Sequence, residues 1–92
     1  SGKSGRRVLF ELFDAQHQRM AFGASLEDAT GKQLAIADPS GNALVLLEED
    51  QGSLTIKWGD QHCTAPYALA AQNRALNYER QTLVCRSESA GE

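Results

Sequence analysis

Cys63 and Cys85 are the residues of this 92-residue chain best placed for covalent chemistry. Each stands in a strand-like segment, one shortly after Gly59 and the other closing Thr82-Leu83-Val84. Their types allow two outcomes, a structural disulfide or a pair of buried free thiols. The spacing matches neither a CxxC redox motif nor a Cys/His zinc pattern. His17 and His62 have no partner at metal-ligand spacing and read as solvent-exposed side chains. Glu48-Glu49-Asp50 lies beside Gly52 and reads as a solvated turn, because carboxylates doing acid–base work must converge in a cleft. An EF-hand calcium pattern is absent. There is also no G-x-S-x-G elbow, no HExxH and no phosphate-cradling glycine loop. The expectation is a non-enzymatic domain without a cofactor or a bound metal.

The elements that position these residues follow from size and patterning. The length suits one small domain. Twelve acidic and nine basic residues give a formal charge of −3, which argues against a nucleic-acid partner, since binding there neutralises phosphates with a basic face. No apolar run approaches the roughly 20 residues of a membrane-spanning helix. Period-two alternation predicts strands over residues 7–12, 20–27, 33–37, 43–48, 53–58, 62–69 and 81–86. In the second of these, Met20, Phe22, Ala24 and Leu26 are expected to point inward. In the fifth, Leu54, Ile56 and Trp58 are expected in the core. Turn signals separate the strands at Asp28-Ala29-Thr30-Gly31-Lys32, Asp38-Pro39-Ser40-Gly41-Asn42 and Gly59-Asp60. Pro66 cannot donate to a ladder, so its strand is expected at a sheet edge or at a bulge. Residues 70–80 read as an extended loop with at most one helical turn. Seven short strands with closely spaced turns predict an all-β, seven-stranded, Greek-key-like β-sandwich.

Side-chain parity singles out a candidate binding surface. Glu48 shares its face with Leu44 and Leu46, and Glu11 shares its face with Leu9 and Phe13. If the glutamates face water, Leu9, Phe13, Leu44 and Leu46 form exposed stripes suited to a protein partner. The competing reading is a strand buried on both faces, or one covered by the loop over residues 70–80.

Several short motifs, taken in order, resemble a known family. They are Val8 to Leu12, Ala21-Phe22-Gly23-Ala24, Thr30-Gly31, Ser40-Gly41-Asn42, the segment from Gly52 to Gly59 that includes Leu54, Ile56 and Trp58, then Cys63 and Cys85. This order is similar to that of the C-terminal periplasmic domain of fimbrial outer-membrane ushers. The chain departs from the pattern at Ala21, where proline is common, and at Ala35 and Ala37, where a glycine is expected. The stretch between the cysteines is long for the family.

The resemblance implies a disulfide between Cys63 and Cys85 and an exported location, since such bonds persist in oxidising compartments. It further implies a periplasmic domain of a bacterial outer-membrane protein, working without ATP or cofactor. Its partners are then chaperone–subunit complexes and other usher domains. Residues 6–86 are read as the domain, 1–5 as linker or expression scar, and 87–92 as a disordered polar tail. With no leader-like segment at its start, the chain is expected to be a piece of a longer exported protein. The rival readings are a fimbrial subunit and a carbohydrate-binding sandwich. A subunit would lack its last strand, whereas residues 81–86 supply one. A sugar site would expose aromatic platforms, whereas Trp58 is expected inside.

Overall fold

The alternating segments become seven strands, seen in a computed structural model that describes residues 5–86. They are β1 (Arg6–Phe13), β2 (Ser25–Glu27), β3 (Gln33–Ile36), β4 (Asn42–Leu47), β5 (Gln51–Trp58), β6 (Gln61–Ala68) and β7 (Glu79–Val84). Two sheets face each other, one ordered β4-β1-β7 and the other β3-β2-β5-β6. All pairings are antiparallel except that of β1 with β7, which is parallel. The readings of residues 1–4 as linker and 87–92 as tail lie outside the described residues.

The core is the set of inward positions that parity picks out. Val8, Phe10 and Leu12 of β1 meet Leu26, Ile56 and Leu83, all six of them fully buried. The edge of the Phe10 ring packs on Tyr67, with centroids 6.0 Å apart. Cys63 at β6 and Cys85 just beyond β7 are bonded, with Cα atoms 5.5 Å apart, and this bond ties the two sheets together. β6 is an edge strand, and an edge tolerates the missing N–H of Pro66. Residues 70–78 form an irregular loop, in which Asn73 accepts the Ala75 N–H on its side chain at 3.0 Å and the Leu76 N–H on its carbonyl at 3.1 Å.

Two expectations are corrected. The strand expected over residues 20–27 survives only as β2. Gly23 adopts φ 95°, and the Ala24 N–H turns back to the Ala21 carbonyl at 3.3 Å. This turn takes Phe22 out of the inward row and leaves it 70% exposed. A glycine inside a strand pattern is the signal for such a break. Trp58 is only half-buried, packed on the core from the last position of β5 rather than enclosed within it.

Three loops share one architecture. Asp14, Asp28 and Asp38 each accept on Oδ1 the N–H groups two and four residues ahead, at 2.8–3.0 Å. In each loop the aspartate N–H donates to the carbonyl of the fourth residue, and its carbonyl accepts from the third residue. That third residue takes positive φ: His17 at 64°, Gly31 at 89° and Gly41 at 83°. Glycine adopts this region freely, whereas a Cβ crowds the following carbonyl. His17 therefore carries backbone strain that its two counterparts avoid.

His17→Gly should raise stability by about 1 kcal/mol, shifting the thermal midpoint up by about 4–8 °C in a domain of this size. Gly31→His should lower it by a similar amount. Thermal unfolding followed by circular dichroism checks both, and a midpoint lowered by His17→Gly contradicts the strain argument. Replacing Cys63 and Cys85 together by Ser should cost about 3 kcal/mol, the loop-closure value for a crosslink of this span. Chemical denaturation of the oxidised protein and of the variant measures that difference.

Candidate functional site

Backbone parity on the three-stranded sheet builds one apolar outer face. With Val8, Phe10 and Leu12 committed to the core, Arg7, Leu9, Glu11 and Phe13 must point outward. β4 repeats the rule: Ala43, Val45 and Leu47 are buried, while Leu44 is 51% and Leu46 62% exposed. Register places Leu9 beside Leu44 and Arg7 beside Leu46. On its other side Leu9 neighbours Arg80 of β7, and Phe13 neighbours Val84.

The four residues expected to bind a partner therefore do not form one cluster. Leu9, Leu44 and Leu46 come together, with Leu9 half-buried between its neighbours. Phe13 lies at the far end of β1, also half-buried, beneath the Arg19 guanidinium at 5.1 Å from its ring centroid. Hydrogen bonds from Arg19 to the Ser40 carbonyl at 3.1 Å and the Asn42 side chain at 2.6 Å hold that cation in place. Exposed Leu76 and Tyr78 complete the cluster at the other end. Together with Gly5, Arg7 and Leu46, they line a shallow hollow of about 280 Å³ against the loop over residues 70–78. Parity reasoning missed them because they sit in a loop, where no alternation exists to read. Gly5 touches Leu46 so closely that any Cβ there would collide with the leucine side chain.

Charge surrounds this face unevenly. Arg80 pairs with Glu11 at 2.8 Å across the outer rows. Arg7, beside Leu46, forms no ion pair among the described residues. Beneath the face Arg6 is buried and fully engaged. It grips Glu79 through Nε at 3.1 Å and Nη2 at 2.6 Å, reaches Asp50 at 3.1 Å, and donates to the Ala70 carbonyl at 2.6 Å. The hydrogen bonds to Glu79 push its pKa further above the ordinary value, so the guanidinium stays charged. Arg6 is thus an anchor beneath the face and not part of it. The described residues contain no group of His, Cys, Asp and Glu side chains arranged to hold a metal. The arrangement can present an apolar strand face with cationic neighbours, which is a binding chemistry.

Comparison with known proteins agrees with this geometry. Residues 9–71 match the model of the PapC C-terminal domain. Among solved structures, the fold resembles the Caf1A usher C-terminal domain with a TM-score of 0.74 at 16% identity, over 86% of this chain and 94% of that one. Conserved hydrophobic clusters on the surface of that domain are described as important for F1 antigen assembly. The fold also resembles the C-terminal domain of the PapC usher, with a TM-score of 0.69 at 22% identity, over 87% and 98% of the respective chains. A third match is PapC in the E. coli P pilus tip assembly intermediate PapC-PapD-PapK-PapG, with a TM-score of 0.72 at 21% identity. It covers 92% of this chain but 10% of that one. No curated protein matches the sequence significantly.

Because Leu44 and Leu46 stand outside the core, the double variant Leu44→Ser/Leu46→Ser should keep the fold. Its thermal midpoint should stay within a few degrees of the parent, as surface substitutions usually change stability by about 0.5 kcal/mol or less. A drop comparable to a core truncation, about 2–5 kcal/mol, would show that the leucines are structural.

Proposed function

The chain belongs to the PapC C-terminal domain family, and on that premise we propose that it binds chaperone–subunit complexes during pilus assembly by the chaperone–usher pathway. In this reading it is the periplasmic C-terminal domain of an outer-membrane usher and makes contacts with the other usher domains. The single observation that carries the binding role is the apolar outer face of the β4-β1-β7 sheet. Leu44, Leu46, Leu76 and Tyr78 are all between 42% and 62% exposed there. Exposed leucine and tyrosine side chains grouped on one face mark protein contacts more often than isolated surface apolar residues do. The E. coli PapC assembly with PapD, PapK and PapG supplies the partner class by analogy.

A handover domain must also release its cargo. A face of a few half-exposed leucines suits that requirement, because transient interfaces bury less than about 1,200 Å² in total. Nothing in the arrangement calls for catalysis. Subunit exchange driven by the folding of the subunits needs no nucleotide or cofactor at this domain. Leu9, Leu44 and Leu46 form the centre of the proposed contact. Phe13 contributes at its far end, with Arg19 stacked upon it.

Isothermal titration of the domain with its chaperone–subunit complex should give saturable binding. Leu44→Ser/Leu46→Ser should weaken it by about tenfold or more, the loss expected when about 1.4 kcal/mol of contact is removed. Absence of binding by the folded parent domain overturns the proposal.

A further inference from the structure

A second feature of β4 is independent of its leucine side chains. β4 is an edge strand, paired on one side only. The Leu12 N–H donates to the Gly41 carbonyl at 2.9 Å, just beyond the end of β4. In an antiparallel ladder hydrogen-bonded and non-hydrogen-bonded pairs alternate. That bond therefore fixes Phe10↔Ala43, Val8↔Val45 and Arg6↔Leu47 as the hydrogen-bonded pairs. Leu44 and Leu46 occupy the alternate pairs, so their N–H and C=O groups point to the free side of β4. Those groups have no partner among the described residues.

From Leu46 onward that free side meets a groove of about 450 Å³. Its apolar floor is made by Leu34, Leu47, Leu54 and Tyr67, and Leu46 stands at its lip. Its mouth carries Asp28, Glu48 and Glu49 against the single base Lys32. The Asp28 carboxyl is held below its ordinary value by hydrogen bonds from the Thr30 hydroxyl and the Lys32 N–H, so it stays anionic in mildly acidic solution. Burial, reinforced by the nearby Glu49 and Asp50 charges, pushes the Tyr67 phenol up. The groove therefore has a negative mouth and an apolar floor, and the unused backbone donor and acceptor of Leu46 stand at its edge, in line with those of Leu44.

We propose that the free edge of β4 accepts an extended, lysine- or arginine-bearing strand of a protein partner by β-addition at Leu44 and Leu46. Main-chain hydrogen bonds hold such a strand, and alternate side chains select it. One set of its side chains drops towards Leu34, Leu47 and Leu54. Basic side chains meet Glu48 and Asp28 at the mouth. This site concerns the strand edge and the groove, not the outer leucine face, and it stands whether or not that face binds a chaperone–subunit complex.

The test uses an octapeptide of alternating Lys and Val, with an alternating Glu and Val octapeptide as control, titrated into the labelled domain by NMR. Binding of the Lys-Val peptide should slow hydrogen exchange of the Leu44 and Leu46 amides by about tenfold or more, since those amides are unbonded in the free domain. Glu48→Lys, at an exposed position, should weaken the peptide by about tenfold or more while the domain remains folded. Glu48→Gln should have a smaller effect in the same direction. Binding without amide protection, equal affinity for the two peptides, insensitivity to both Glu48 variants, or no binding each overturns the proposal.

Discussion

The last strand of this sandwich lies parallel to the first, and what secures it at both ends determines whether the β4-β1-β7 sheet exists. A parallel pair needs a long crossover, and here the crossover includes an irregular loop with little apolar burial of its own. Two clamps compensate. At the start of β7, Glu79 accepts from Nε and Nη2 of the buried Arg6 guanidinium, whose Nη1 reaches Asp50 in the β4–β5 turn and whose Nη2 also reaches the Ala70 carbonyl just past β6. Just past the end of β7, Cys85 is bonded to Cys63, and the Arg86 N–H donates to the Thr64 carbonyl at 2.7 Å. Between these clamps Leu83 is fully buried and completes the core beneath β1.

This dependence explains how the outer face can be so apolar. β1 is the central strand, so its inward residues are covered by the second sheet and its backbone by β4 and β7. With strand order fixed by the two clamps and the core, the outward positions are free to serve another purpose. They carry leucines at Leu9, Leu44 and Leu46 where a stability-driven sequence would place threonine or charge. An outward ion pair, Arg80 with Glu11, lies beside them and joins β7 to β1 across the same face. An exposed pair of this kind contributes little stability on its own. Its placement spaces charge around the leucines without interrupting them.

Much of this arrangement was legible in the residues. The alternation of β1, β4 and β5, the loops begun by Asp28 and Asp38, and the edge position of Pro66 all follow from local rules. The outward parity of Leu44 and Leu46 could be read from Glu48 alone. The misreadings share a cause. Continuing the alternating row puts Phe22 and Trp58 inside, but Gly23 breaks the row and β5 ends at Trp58. Period two predicts sides only while the strand lasts. Leu76 and Tyr78 join the face through the path of a loop, which no periodicity encodes. The Asp14 loop shows a different limit. Its hydrogen bonds match those of its siblings, yet His17 hides the turn because glycine is the usual sign of positive φ.

The parallel pairing of β1 with β7 also sets how the domain bears load. β1 is entered beside Gly5 at one end of the sandwich, and β7 is left towards Arg86 at the other. Tension between those two points runs along the strands. It strains every register pair from Val8–Glu79 to Phe13–Val84 at once, instead of unzipping them one after another. The Cys63–Cys85 bond diverts part of the pull into β6 and so into the second sheet. A domain wired in this way yields by shear, the loading direction in which hydrogen-bonded strands resist most.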